Sequence, residues 1–274
     1  MTANPQNGDQ DRPLSGGMMN TVIRRGDRVL RTAPPQAPAL QAFLAALAGS
    51  GFEGAPRPLA LHGDGTEELT FVEGDVAVPP FPDWSARDRV VTASARLLRR
   101  YHDAAARTPF DPDANWPTHL SDPEGGTLLC HNDPCLENLV FRGGEAVALI
   151  DFDLAAPGRP VWDLAALAFY LGPTLPPEAL ADTEFAGADV LRRLRLLADG
   201  YGMTPEDRLL LPEAIDQYDE ASQAFVKGMV ERGEPLFVQE VERVGGRAEW
   251  ERRRERRSAW MRQQRPAFLT VLTG

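Results

Sequence analysis

Lysine is nearly missing from this 274-residue chain: Lys227 stands alone among 29 strong bases, and arginine fills every other basic position. Any role that calls for a compact ammonium must go unfilled or pass to a guanidinium, a planar fork with fixed donor directions. Cysteine is scarce too. Cys130 and Cys135 are too few for a disulfide framework, and with only four histidines a zinc site lacks ligands at suitable spacing. They read as reduced packing residues. No apolar run reaches the roughly 18 residues a membrane span needs. Residues 1–13 are polar and carry acids, without the basic-then-apolar order of a signal peptide, so they read as a disordered leader and the cytoplasm is the default location. Excess positive charge is also lacking. A net charge of −11 argues against nucleic acid as the main partner and suits a cationic small molecule, or simply solubility.

What is present has the proportions of a globular protein, 43% hydrophobic and 25% charged. Residues 14–33 read as a β-hairpin about Gly26-Asp27, followed by an Ala- and Leu-rich helix over 39–48 that stops at Gly49. A second strand pair covers 59–62 and 68–72. The Pro-rich stretch 74–85 then joins this small sheet to a second half. There, Val91, Ala95, Leu98, His102 and Ala105 mark one face of a helix over 86–105. Residues 139–150 form another hairpin about Gly143-Gly144. Helices are expected over 162–171, 188–199, 205–233 and 247–264, with Pro212 kinking or splitting the third and Pro266 limiting the last.

The chemistry concentrates in His131-Asn-Asp133-Pro-Cys-Leu-Glu-Asn138 and Ile150-Asp151-Phe-Asp153, one on each side of the 139–150 hairpin. A hairpin brings its ends together, which sets Asn138 and Asp151 at the mouth of one cleft. Their oxygens suit a hard cation such as Mg2+, which keeps water and phosphate oxygens as its other ligands. Asp133, nearby but outside that pair, is free to receive or orient an acceptor hydroxyl.

These residues resemble the aminoglycoside phosphotransferase family of the protein-kinase-like superfamily, whose pattern is H-x-D-x-x-x-x-N followed by I-D-[FW]-[DE]. The resemblance implies an α+β, two-lobed protein-kinase-like fold. Residues 14–73 would form a small antiparallel-sheet lobe with one helix, and 74–274 a mainly helical lobe. It implies ATP or GTP as phosphoryl donor with Mg2+, Asp133 as the catalytic residue, and Asn138 and Asp151 as metal ligands. His131 would brace the loop, and the Asp163 of Trp162-Asp163-Leu-Ala would support its backbone. Asp153 is left between a water-mediated approach to the metal and a hydrogen bond to nearby backbone. The first hairpin would cover the phosphates, with Gly16 and Gly17 letting backbone amides approach. Thr70, Phe71 and Val72 would form the hinge that hydrogen-bonds a purine. The family's strand lysine and its helix glutamate are both missing. Arg31 stands on the matching strand, and the helix near residues 40–47 has no acid. Arg31 is therefore either the phosphate-binding cation in a different geometry or a surface strand residue.

Acids crowd residues 206–242, among them Glu213, Asp216, Asp219 and Glu220. They suit an amine-bearing acceptor such as an aminoglycoside or amino alcohol, or else form a solvated helix face. The arginines of 247–265 are expected to pair with that acidic stretch rather than to bind nucleic acid. Resistance enzymes and metabolic kinases share these motifs. The expected activity is therefore phosphorylation of a hydroxyl on a small molecule. The alternatives are a pseudokinase-like nucleotide-binding module, suggested by the missing lysine, and a metal-dependent hydrolase.

Overall fold

Short strands rich in β-branched and arginine residues pair antiparallel to build the first layer of the computed structural model, which describes residues 11–14, 22–181 and 183–274. The strands are β1 (Arg12–Leu14), β2 (Val22–Arg25), β3 (Arg28–Thr32), β4 (Pro58–Leu61) and β5 (Thr66–Thr70), in the spatial order β1-β2-β3-β5-β4. β1 takes the last two residues of the segment expected to be a leader. Gly16 and Gly17 lie outside the described residues. The β3–β5 register sets Arg31 opposite Glu67. Helix α1 (Ala37–Gly49) packs Leu40, Phe43, Leu44 and Leu47 into the core.

The second half is mainly helical. It begins with β6 (Asp75–Val76) and α2 (Asp88–Ala105). The amphipathic pattern of α2 buries Val91, Ala95, Leu98 and His102 on one side. Next come β7 (Leu128–Cys130), a single 3-10 turn at Leu136–Asn138, β8 (Leu139–Arg142), β9 (Glu145–Leu149) and β10 (Ala156–Gly158). The β8–β9 hairpin closes through Gly143 (φ 59°) and Gly144 (φ 87°), positive angles that the tight turn demands and glycine adopts without steric cost. β6 adds to its edge, and β10 pairs with β7. Helix α3 (Pro160–Leu171) is apolar nearly all round and buried nearly all round, with Trp162 fully enclosed in its first turn.

The remaining helices are α4 (Pro177–Leu180), α5 (Val190–Tyr201), α6 (Pro205–Glu231), α7 (Pro235–Arg243) and α8 (Arg247–Thr273). One expectation fails here: Pro266 does not limit α8, which runs on to Thr273. At Pro212 the chain stays helical, so of the two outcomes expected there α6 is not split. Beyond Pro266, Phe268 and Leu272 are buried, and Arg195 and Arg208 donate to the carbonyls of Val271 (3.2 Å) and Leu272 (3.0 Å). Packing and these two guanidinium caps offset the one hydrogen bond the proline removes. Helix α7, with Pro235 in its first turn, was not anticipated as a separate element. Among the described residues, no helix is long and apolar enough to cross a membrane.

Candidate active site

A buried carboxylate shapes the loop that follows β7. Asp163, in the first turn of α3, is fully enclosed and accepts the backbone N–H groups of His131 (2.8 Å) and Asn132 (2.6 Å). Its Oδ2 also accepts His102 Nε2 from α2 at 3.0 Å. Three donors satisfy the charge that burial would otherwise penalise. They also hold Asn132 at φ 67°, a left-handed angle uncommon outside glycine. His131 Nε2 meets the carbonyl of Ile150 at 2.9 Å, so that nitrogen carries the proton, and Nδ1 accepts the N–H of Asp133 at 3.3 Å. Burial lowers the His131 pKa, which suits the neutral ring this pattern requires. The Tyr218 hydroxyl of α6 completes the support by donating to the carbonyl of Asn132 (2.8 Å).

Asp133 projects from this loop toward Asn138 and Tyr170. The Nδ2 of Asn138 donates to the Asp133 carbonyl (2.9 Å) and to its Oδ2 (3.1 Å), and the Tyr170 side chain hydrogen-bonds the same carboxylate. Burial raises the Asp133 pKa to about 6, reinforced by Asp151 and Glu137 and opposed by Tyr170 and Asn138. The result is a carboxylate of fixed orientation and increased basicity, able to accept a proton or align a hydroxyl near neutral pH.

The hairpin returns through Ile150, whose N–H donates to the carbonyl of Asn138 at 2.9 Å, so Asp151 follows directly beside the strand that Asn138 opens. Asp151 has φ 60° and a side chain 43% exposed. Across from it lies Arg31 of β3, only 8% exposed, which excludes the surface-strand reading. Its guanidinium donates to Glu67 (2.8 Å), Asp151 (3.1 Å) and Asp153 (2.6 Å). Burial works against the charge on Arg31, but Asp153, Asp151 and Glu67 outweigh it and raise its pKa. Burial and Asp151 push Asp153 up to about 6 against the pull of Arg31.

Glu67, 1% exposed, escaped the sequence reading because it lies on β5 and not on the helix. Helix α1 contributes amides in place of an acid. Gln41 donates to Glu67 Oε2 (2.7 Å), and Gln36 donates to the backbone carbonyl of Asp153 (2.7 Å). The cross-strand register of β3 and β5 is the signal that could have found Glu67. Tyr170 and Tyr218 carried no sequence signal beyond aromatic residues on helices.

In the segment 70–72, the N–H of Thr70 donates to the Arg57 carbonyl (2.9 Å) and that of Phe71 to the Asp27 carbonyl (2.8 Å). These two N–H groups are therefore already engaged, and in the expected hinge role any hydrogen bond to a purine would fall to other backbone groups of the segment, those of Val72 among them. Arg24 lies over the Phe71 ring at 3.7 Å and pairs with Glu73.

The donor set near Asn138 and Asp151 fits a hard divalent cation. Because Asn138 Nδ2 faces Asp133, its carbonyl-type Oδ1 is turned the other way, and Asp151 presents a carboxylate to solvent with one oxygen on Arg31. Among the described residues, no three His, Cys, Asp or Glu cluster to hold a metal alone. Magnesium bound chiefly by nucleotide oxygens and water needs no such cluster.

The sequence profile of the phosphotransferase enzyme family matches residues 11–125 and 111–197. The trifolitoxin immunity protein of Rhizobium leguminosarum bv. trifolii is 32% identical over 237 residues, 82% of this chain and 89% of that protein. An N-acetylmuramate/N-acetylglucosamine kinase of Caulobacter vibrioides is 28% identical over 186 residues, 64% of this chain but only 47% of that kinase. Among solved structures, a choline/ethanolamine kinase family protein from Mesorhizobium loti superposes with a TM-score of 0.65 at 17% identity, covering 98% of this chain and 94% of that one. An aminoglycoside phosphotransferase from Streptomyces rimosus, in complex with ADP and streptomycin, gives 0.52 at 19% identity over 80% and 94% of the two chains. These superpositions show the two-lobed kinase-like fold. With a profile match over more than half its length, the chain belongs to the phosphotransferase enzyme family, and it is a phosphotransferase with an alcohol group as acceptor.

Proposed function

We propose that this protein transfers the γ-phosphoryl group of ATP or GTP to a hydroxyl of a small molecule, with Asp133 as the residue that orients and deprotonates that hydroxyl. The observation that carries the reading is the Asp133 carboxylate, aimed by Asn138 and Tyr170 and made more basic by burial. Asn138 and Asp151 would hold Mg2+, which supplies charge neutralisation at the phosphates when bound. Arg31 sits where it can exchange one carboxylate partner for a phosphate oxygen, with Glu67 and Gln41 keeping it aligned. Residues 14–73 form the nucleotide-covering lobe in this reading, and 74–274 carry the catalytic loop and the acceptor region. His131, Asp153 and Asp163 act as supports. The cytoplasm, where nucleoside triphosphates are abundant, is the proposed place of action.

An amine-bearing acceptor, aminoglycoside-like or an amino alcohol, is supported by the fold neighbours bound to aminoglycosides and by the neighbour from a choline/ethanolamine kinase family. The acidic stretch lends it less support, because α8 neutralises much of it: Glu213 and Asp216 face Arg265, and Glu231 faces Arg247. Similarity to an immunity protein favours a role in tolerance of a toxic compound.

The test is a panel of amino sugars and amino alcohols incubated with Mg2+ and either ATP or GTP, read by the mass gain of the acceptor. Asp133→Asn is expected to cut turnover by at least two to three orders of magnitude with an unchanged circular dichroism spectrum. A variant that works at full rate would remove this mechanism. Nucleotide binding without any acceptor gaining mass would point to the pseudokinase reading, and phosphate release independent of acceptor to a hydrolase.

A further inference from the structure

The register of the first sheet shows which side chains share the face of Arg31. Arg31 stands opposite Val22 on β2 and Glu67 on β5, and Val29 stands opposite Arg24 and Leu69. Directly opposed residues lie on one face, as do residues two apart along a strand. Arg24 is therefore on the side from which Arg31 reaches Asp151 and Asp153. Phe71 extends the same row, because it follows Leu69 by two and its N–H continues the ladder onto the Asp27 carbonyl. Arg24 is one strand over and two residues along from Arg31, roughly 8 Å in backbone terms at about 3.3 Å per residue and about 4.8 Å between strands. A nucleotide lying along this face with its phosphates at Arg31 extends its base toward Arg24 and residues 71–73, the segment that the motif resemblance assigns to the hinge.

Arg24 organises that end of the face. Its guanidinium lies 3.7 Å above the Phe71 ring, Nε donates to the Gly26 carbonyl (2.8 Å), and Nη2 pairs with Glu73. The side chains are 27% and 70% exposed, and an ion pair this open adds little to stability. Its effect is positional: a fork fixed by three contacts holds the Glu73 carboxylate beside the nucleotide face.

The backbone next to it is available. Among the described residues, neither the N–H nor the C=O of half-buried Val72 hydrogen-bonds another protein group. Such groups are normally paired, so water or a ligand must satisfy them. One donor and one acceptor suit either purine, since adenine offers N1 and N6–H and guanine offers O6 and N1–H. The purines differ at the adjoining position, where guanine carries the N2 amine and adenine only a C–H between two lone pairs. A carboxylate there accepts the N–H groups of guanine in charge-assisted hydrogen bonds and repels the lone pairs of adenine.

We propose that Glu73, held by Arg24, is the base-reading residue of the nucleotide site and selects a guanine nucleotide as the phosphoryl donor. The carboxylate accepts from the Watson–Crick edge of guanine, while Val72 supplies the backbone contacts common to both purines. The proposal rests on the phosphotransferase reading above and deepens it by naming the donor base.

The test uses the full chain with Mg2+ and calorimetry of GDP, IDP and ADP. IDP keeps O6 and N1–H but lacks the N2 amine. GDP is expected to bind at least ten-fold more tightly than ADP, with IDP between them. In Glu73→Ala, GDP and ADP should come within about two-fold of each other. Arg24→Met, which releases the carboxylate without altering it, should lose part of the preference. Both side chains are partly exposed, so circular dichroism should show folded variants. Asp133→Asn should keep the full preference for GDP. As donors, GTP and ATP should follow the same order in kcat/KM. The proposal is overturned if ADP binds as tightly as GDP, or if the preference survives Glu73→Ala. In both cases a nucleotide is still bound and the phosphotransferase reading stands. If none of the three nucleotides binds, that reading falls and this proposal falls with it.

Discussion

Glu67 faces Arg31 across β3 and β5 and is the most enclosed of the three carboxylates around it. It anchors one edge of the guanidinium, leaving the other edge to divide between Asp151 and Asp153. Glu67→Gln removes that anchor, so Arg31 turns more of its charge toward Asp151, the residue proposed to bind metal. The apparent affinity for Mg2+ is therefore expected to fall several-fold in a metal titration of activity, with a stability loss of about 1–3 kcal/mol in urea unfolding. An unchanged magnesium dependence would mean that Glu67 only packs. Asp133 makes the opposite kind of prediction. Its folded pKa is raised to about 6, so in the metal-free protein its ionised form costs stability above that pH. Asp133→Asn, expected to lose transfer, should unfold at higher urea than the wild type at pH 7–8 in the presence of chelator, by about 1–3 kcal/mol. The gain should shrink as pH falls through 6 and vanish near pH 4, where the wild-type carboxyl is protonated in both states. The motif residues were legible because their identities and spacing encode the chemistry directly. Glu67 and Tyr170 were not, since each gains its meaning only from a neighbour 36 or more positions away in sequence.

Helix limits show where local signals and tertiary packing part company. Proline is the strongest local stop signal, and Pro34 and Pro35 lie just ahead of α1, whose first turn accommodates Pro38. At Pro212 and Pro266 the helix continues, because the residues beyond bury apolar side chains and, in α8, because Arg195 and Arg208 reach the final carbonyls. Those caps come from α5 and α6, elements that no window around Pro266 contains. Pro266→Ala should restore the missing N–H without disturbing the caps. Thermal unfolding is expected to rise by a few degrees, equivalent to about 1–2 kcal/mol, with turnover unchanged. A fall in stability would show that the proline ring fills space which alanine leaves empty. The β8–β9 hairpin is the contrasting case. Its Gly143-Gly144 turn was readable because the conformational demand sits on the two residues themselves.

At the scale of the whole molecule, the two halves share one apolar core, to which Leu40, Phe43 and Leu47 contribute from one side and Tyr101 and Leu149 from the other, and polar contacts join them at the site. Arg31 reaches Asp151 and Asp153, Gln36 holds the Asp153 carbonyl, and the Leu149 N–H donates to Gly54. In a chain of net charge −11, three acids converging on one arginine make that arginine the local counterion as well as an inter-lobe tie. Removing a buried partner from such a group costs more than the pair itself contributes, because the remaining charges keep their desolvation penalty. Arg31→Met is thus expected to lower stability by about 3–5 kcal/mol in chelator. Magnesium then becomes the only cation able to neutralise Asp151, so millimolar Mg2+ should raise the melting temperature of Arg31→Met by more than it raises that of the wild type. Arg31→Lys, which keeps the charge but not the fork, should fall between the two. Melting curves for the three proteins, each with chelator and with Mg2+, decide the point. Equal magnesium shifts in all three would separate Arg31 from the metal site and leave it as a structural tie between the lobes.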